Sequence, residues 1–153
     1  MIGNDSLLMS YAHVAHDCVI GSHAILANNA TLAGHVIVED RAIIGGLSAV
    51  HQFVRIGTLA IVGGCSKVVQ DVPAYMMADG HPAKVHGINS VGIDRAGISK
   101  EEKILLKKAY KILFRSGLTL KNARAAIEKE LPKTPALQTL LQFLKGSERG
   151  ISR

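Results

Sequence analysis

Histidine is the residue most able to move a proton near neutral pH, because neutral imidazole accepts one there. All seven histidines of this chain precede residue 87: His13, His16, His23, His35, His51, His81 and His86. A histidine that deprotonates a hydroxyl needs a partner to hold the charge that develops on the attacked carbonyl. Gly34 is a candidate, since a residue without a side chain lets a carbonyl oxygen approach its N–H. No serine or cysteine has an obvious histidine partner, which favours direct transfer to an acceptor hydroxyl over a covalent intermediate. All of this requires that residues far apart in sequence meet.

The spacing of the aliphatic residues supplies that condition. From Ile2 every sixth residue is aliphatic, through Leu8, Val14, Ile20, Leu26, Leu32, Val38, Ile44, Val50, Ile56, Val62 and Val68. Four positions after each of these the residue is usually small, as at Ser6, Ala12, Cys18, Ala24 and Ala30. A period of six fits neither a helix nor a two-sided strand. It fits a coil of three short flat faces, with the aliphatic rung inward and the small residue at the corner. Glycine often follows the rung, as at Gly21, Gly45 and Gly63, and is read here as relieving the turn. Three hexads make an 18-residue coil, and stacked coils form parallel sheets about 4.8 Å apart.

Residues 18 apart then share a column. His16 lies below Gly34 and Gln52; Asp17 lies below His35 and Phe53; Ala15 and Ala33 lie below His51. His16, His35 and His51 therefore approach one corner on successive coils, with His13 three residues upstream. A metal would need rings facing one point. These histidines step into different columns, so no metal is expected.

The remaining sequence divides by composition. The ladder, residues 1–73, closes at Gln70-Asp71-Val72-Pro73, and residues 74–98 read as a connector with one short strand. Residues 99–153 read as three helices. Ser99 and Glu102 form a capping box, with a stripe of Ile104, Leu105, Ala109, Ile112 and Leu113. Thr119 starts the second helix, and Thr134-Pro135 starts a third that runs to Gly146 and a polar tail. Residues 1–83 carry net charge −3 and residues 84–153 carry +9. A basic tail suits an acidic partner. Nucleic acid is not expected, because no stacking-aromatic pattern accompanies the charge. Cys18 and Cys65 read as apolar fillers of a reduced, cytoplasmic protein. No apolar run is long enough for a transmembrane segment, and no signal peptide is evident. The ladder is in phase at residue 2 with nothing resembling a cap before it, which suggests that further coils precede it.

The ladder resembles the hexapeptide-repeat acyltransferases. The stretches Ala12-His13-Val14-Ala15-His16-Asp17-Cys18, Asn28 to Val36 and Ala49-Val50-His51-Gln52-Phe53 are similar to one branch in particular. That branch comprises the acyl-carrier-protein-dependent UDP-N-acetylglucosamine O-acyltransferases, which catalyse the first step of lipid A biosynthesis. The resemblance covers essentially the whole chain, including the helical tail. It implies an all-β left-handed parallel β-helix followed by a small α-helical C-terminal domain. It implies a homotrimer with sites between subunits, in which the basic tail docks acyl carrier protein. By this resemblance His16 is the base, Asp17 its support and the Gly34 N–H the oxyanion donor. His13, His35, His51 and Gln52 line the sugar and acyl sites. Gly64 floors the acyl tunnel, and Asn89 and Arg95 bind the pantetheine arm or nucleotide. No cofactor is implied, since the acyl carrier protein's thioester is a co-substrate.

The chain departs from the branch in three places. About a hundred residues of N-terminal coils present in the family are not in this sequence. Val91 replaces an acid near the nucleotide, and His81 replaces the usual asparagine of a Gly-Asn-Pro-Ala turn. Rival expectations are the sister N-acyltransferase of the same pathway, a non-catalytic trimeric fragment and, third, a zinc lyase.

Overall fold

In the computed structural model, which describes all residues from Met1 to Arg153, the hexads wind into a parallel β-solenoid. Its strands are two residues long: β1 (Leu7–Leu8), β2 (His13–Val14), β3 (Val19–Ile20), β4 (Ile25–Leu26), β5 (Thr31–Leu32), β6 (Ile37–Val38), β7 (Ile43–Ile44), β8 (Ala49–Val50), β9 (Arg55–Ile56), β10 (Ile61–Val62) and β11 (Lys67–Val68). They stack as three faces, β1-β4-β7-β10, β2-β5-β8-β11 and β3-β6-β9. The register step is 18 residues, as in Leu7 with Ile25 and His13 with Thr31. Rungs from Ile20 to Val68 and the small residues from Cys18 to Ser66 are buried, as the periodicity predicts.

The corners differ from expectation. Every sixth residue from Asp5 to Cys65 has a left-handed backbone, with φ between 54° and 64°, and none of these residues is glycine. Left-handed backbone costs a non-glycine residue about 1–2 kcal/mol. It is held because the N–H of each such residue, from His23 on, donates to a carbonyl of the coil below, as His35 does to His16 at 3.1 Å. An inward aliphatic rung per hexad, at roughly 1.5–3 kcal/mol, outweighs the strain. The glycines after the rungs serve another need. A Cβ on Gly21 would lie 2.6 Å from the Asp40 nitrogen, and one on Gly45 2.5 Å from that of Gly64. Glycine there permits close approach of neighbouring coils and does not relieve a turn.

The last coil is two residues short: Ile56 pairs with Val72 and Ile61 with Met77, a step of 16. The connector is more ordered than the sequence suggests. It holds an antiparallel hairpin, β12 (Met76–Gly80) and β13 (Ala83–Ile88), which extends the β1 face, and a short helix, α1 (Ser90–Arg95). The hairpin ends the parallel stack by turning back on itself.

Three helices follow: α2 (Lys100–Arg115), α3 (Leu120–Glu130) and α4 (Pro135–Lys145). Ser99, Thr119 and Thr134 cap them, each side chain accepting from an N–H three residues on. The Glu102 carboxylate does not close the capping box. It accepts instead from the Ala136 N–H at the start of α4, tying two helices together. The buried face of α2 is Leu106, Ala109, Tyr110 and Leu113, while Ile104 is exposed. The apolar stripe is thus rotated from the one expected, because Tyr110 turns inward and donates to the His86 carbonyl. No helix is long and apolar enough to cross a membrane.

The polar tail is a strap. Ile151 pairs in parallel with Asp71, where the shortened coil lacks its left-handed corner. The Asp71 N–H donates to Gly150, the Ser152 N–H donates to Asp71, and the Arg149 guanidinium reaches the Val69 carbonyl. The Asp71 side chain is buried. It accepts from the Arg55 N–H at 2.8 Å and the Ser147 hydroxyl at 2.6 Å. Burial pushes its carboxyl above the usual range, with the bonds from Ser147 and Arg55 working the other way. Between the unfolded and the raised folded pKa the native chain holds more protons than the unfolded one. The stabilisation is therefore complete below the unfolded pKa and lost as pH rises through the folded one. Asp71→Asn keeps an acceptor for Arg55, so in denaturant melts it should flatten this loss with pH. Asp71→Ala leaves the Arg55 N–H unsatisfied and should cost about 1–3 kcal/mol.

Candidate functional site

One edge of the solenoid, where the β2-β5-β8 face turns into the β3-β6-β9 face, carries the residues singled out for chemistry. His16, Gly34 and Gln52 form one column there, and Asp17, His35 and Phe53 the next. The backbone bonds from His35 to His16 and from Phe53 to Gly34, at 3.1 and 3.2 Å, fix the stacking.

His16 Nδ1 lies 2.9 Å from Asp17 Oδ2. An ionised carboxylate only accepts, so Nδ1 carries the hydrogen and the neutral ring keeps its lone pair at Nε2. The hydrogen bond from His16 holds the Asp17 carboxyl below its ordinary value, against slight desolvation and with further help from His35. The free nitrogen lies over Gly34, where a Cβ would sit 2.7 Å from His16 Nε2 and 2.6 Å from Cε1. Gly34 has no left-handed φ, so it is glycine to leave room for the imidazole.

The Gly34 N–H is the second notable feature. At this position of the hexad the amide points outward at the edge. Ser22 and Thr58 satisfy theirs with the carboxylates of Asp40 and Glu39, at 2.8 and 2.9 Å. The Gly34 N–H has no acceptor within the chain. An exposed proton acceptor and the unengaged backbone donor of a buried glycine therefore stand side by side.

His35 belongs to the same cluster. Its ring meets His16 edge-on at 5.1 Å between centroids and stacks on Phe53 at 4.7 Å, with 11° between planes. Its Nε2 is 3.8 Å from Asp17 Oδ2. One ligand atom from each of His16, Asp17 and His35 falls within 4.8 Å of the others. Adjacent columns converge at a corner, so separate columns do not keep these groups apart. Phe53 went unassigned from sequence, although its column position was the signal that places it against His35.

The other candidates are not all brought together. His51 is on the same edge, but its Nδ1 faces the Gln52 carbonyl at 3.1 Å. His13 and Gln52 are exposed near the cluster. Gly64 lies on a different edge, where a Cβ would meet the Gly46 carbonyl oxygen at 3.3 Å. Asn89 and Arg95 lie by the third edge, lining a cavity of about 260 Å³ with Arg41, Leu59 and Val91. Asn89 is buried, with its amide engaged at both ends: it caps α1 through the Gly92 N–H and donates to the Leu59 carbonyl at 2.8 Å. A separate carboxylate–imidazole pair, Asp79 and His86 at 2.6 Å, sits on the hairpin.

Comparison with known proteins places this architecture. Residues 1–34 match the bacterial transferase hexapeptide model of six repeats, which defines the solenoid class. Residues 71–152, more than half the chain, match the model for UDP-N-acetylglucosamine O-acyltransferase, domain 2, and the chain belongs to that family. It is 49% identical over 152 residues to the acyl-[acyl-carrier-protein]–UDP-N-acetylglucosamine O-acyltransferase of Thiobacillus denitrificans, covering 99% of this chain and 59% of that protein. It is 50% identical to the Vibrio atlanticus protein of the same name, covering 100% and 58%. The chain thus spans under two thirds of the length of the curated relatives it matches. Among solved structures, LpxA of Acinetobacter baumannii aligns with a TM-score of 0.96 at 48% identity, over 99% of this chain and 59% of that one. The UDP-N-acetylglucosamine acyltransferase of Arabidopsis aligns at 0.92 and 41%, over 99% and 56%.

The cluster predicts the behaviour of Gly34→Ala. The added methyl meets the end of a mobile side chain and no backbone, so the imidazole moves and the solenoid stays. Melting should change by no more than about 0.5 kcal/mol. Nitrogen-15 spectra should show the His16 ring losing the protonated Nδ1 signal of its bond to Asp17.

Proposed function

We propose that the protein moves a 3-hydroxyacyl group from acyl carrier protein to the 3-hydroxyl of UDP-N-acetylglucosamine. What carries this reading is the pairing of the His16 Nε2 lone pair with the unengaged Gly34 N–H. His16 takes the proton of the sugar hydroxyl, and the oxygen forms a bond to the thioester carbonyl carbon. The Gly34 N–H donates to the oxyanion. On collapse the carbon–sulfur bond breaks and His16 returns its proton to the departing thiolate. Asp17 holds the ring in the required tautomer. A cysteine nucleophile is not needed: the Cys18 thiol is buried against the Ala33 carbonyl, and Cys65 is on another edge. The naming of the relatives as acyl-[acyl-carrier-protein]–UDP-N-acetylglucosamine O-acyltransferases supports the choice of substrates.

The assembly is read as a homotrimer of left-handed solenoids, each with a small C-terminal helical domain, acting in the cytoplasm at the first step of lipid A biosynthesis. The distribution of the candidates over three edges supports it. His13, His35, His51 and Gln52 would line the sugar and acyl sites beside His16. Gly64, Asn89 and Arg95 would complete a neighbour's site as the acyl-tunnel floor and the pantetheine or nucleotide contacts. The +9 charge of residues 84–153 supports docking of the acidic carrier on the helices.

Transfer from 3-hydroxyacyl carrier protein to UDP-N-acetylglucosamine tests the reading. His16→Ala should lower turnover by ~10²–10⁴ while the melting transition stays in place. Gly34→Ala, which displaces the ring and crowds the donor, should lower it by about 10²–10³. A His16→Ala protein as fast as the parent would overturn the assignment.

A further inference from the structure

We propose that His16, Asp17 and His35 form a binding site for a zinc-type divalent metal ion, and that the ion acts as a reversible inhibitor. The donors are two imidazole nitrogens and one carboxylate oxygen, all within 4.8 Å of one another. Zinc with bonds of about 2.0–2.1 Å holds tetrahedral ligands about 3.3–3.5 Å apart. Asp17 Oδ2 already lies 2.9 Å from His16 and 3.8 Å from His35, so small side-chain rotations close the set. Mixed nitrogen and oxygen donors suit zinc, whereas magnesium and calcium favour oxygen alone.

The set is also preorganised. Asp17 and His35 both have left-handed backbones, φ 59° and 60°, and the bond from the His35 N–H to the His16 carbonyl holds the His35 corner. Phe53, itself exposed, stacks on the His35 ring at 4.7 Å and restrains its orientation. Less freedom is therefore lost on binding than in a mobile loop. All three residues are exposed, so the ion exchanges with solvent and the fold does not depend on it. Three protein ligands leave the fourth position to water.

Binding silences the base whichever nitrogen of His16 is used. A metal on Nε2 takes the lone pair directly. A metal on Nδ1 displaces the hydrogen bond to Asp17 and obliges the neutral ring to carry its one hydrogen on Nε2. Only this inhibitory consequence rests on the acyltransferase reading; the binding itself does not.

The test is calorimetric titration of zinc chloride into chelator-treated protein without substrates. The controls are His35→Asn and Asp17→Asn, since asparagine tolerates the left-handed backbone at both positions. His86→Ala removes the other carboxylate–imidazole pair, on the hairpin. The parent should bind one ion per chain, each of the two asparagine variants at least ~10-fold more weakly, and His86→Ala like the parent. Parent-like affinity in both asparagine variants, or loss of binding in His86→Ala, would overturn the site. In the transfer assay zinc should inhibit the parent and a chelator should restore it. Transfer that persists in zinc-saturated protein would overturn the inhibition alone. Absence of transfer from zinc-free protein that binds the ion would sink the acyltransferase reading and leave the site standing.

Discussion

The structure depends on the left-handed corner. A chain that turns every six residues must place one of them in an unfavourable conformation, and here that residue is Asp, Tyr, His, Asn, Arg, Leu, Phe or Cys, never Gly. What holds it is the hydrogen bond from its own N–H to a carbonyl one coil below. Each coil thus imposes the corner of the next, and the strain is tolerated only because the inward rungs stack at the same time. The arrangement makes position in the hexad a fixed direction in space: rung and small residue inward, corner side chains outward. Where the last coil loses its corner at Asp71, the C-terminal strap supplies the missing partner strand.

The proposed chemistry uses that frame with almost no modification. The outward amide two residues after each rung is a structural loose end. Carboxylates of neighbouring coils tie it up at Ser22 and Thr58. At Gly34, as at Gly46, Gln52 and Gly64, it is left open, and what is particular to Gly34 is that glycine makes space for the ring of His16. What distinguishes the candidate corner is two residues, a histidine below and a glycine above. Exposure matters too: Asp17 is open to solvent, so its hold on His16 is chiefly orientational and its electrostatic contribution is screened.

Much of this was legible because the period is rigid. The 18-residue rule placed His16 under Gly34 and Asp17 under His35 without coordinates, and the helix caps at Ser99, Thr119 and Thr134 followed from residue type and spacing. The parts that escaped share a physical reason, dependence on a partner remote in sequence. The strap on Asp71 is a pairing across 80 positions with only Ile151 as an apolar signal. The inward turn of Tyr110 depends on a carbonyl of the hairpin, and the role of Glu102 on the start of another helix. The glycines after the rungs were misread because sequence shows that a side chain is missing but not whether torsion or space requires it. The convergence of His35 on Asp17 was missed because columns drawn flat seem parallel, whereas at a corner they lean together.

The division of charge has a place in the same argument. The solenoid is slightly acidic and the helices are strongly basic. On α2 the outward residues Lys107, Lys108 and Lys111 make no ion pair, while Lys103 is neutralised by Asp94. Unpaired surface lysines contribute little to stability, and their mutual repulsion opposes folding weakly. Their value lies in long-range attraction, which speeds encounter with an acidic partner and weakens with salt. In the proposed reading, recognition of an acidic carrier falls to this helical surface. The candidate reactive edge sits on the solenoid, where the stacking of coils fixes the backbone. Attraction can be tuned on the helices without disturbing the corner that positions His16.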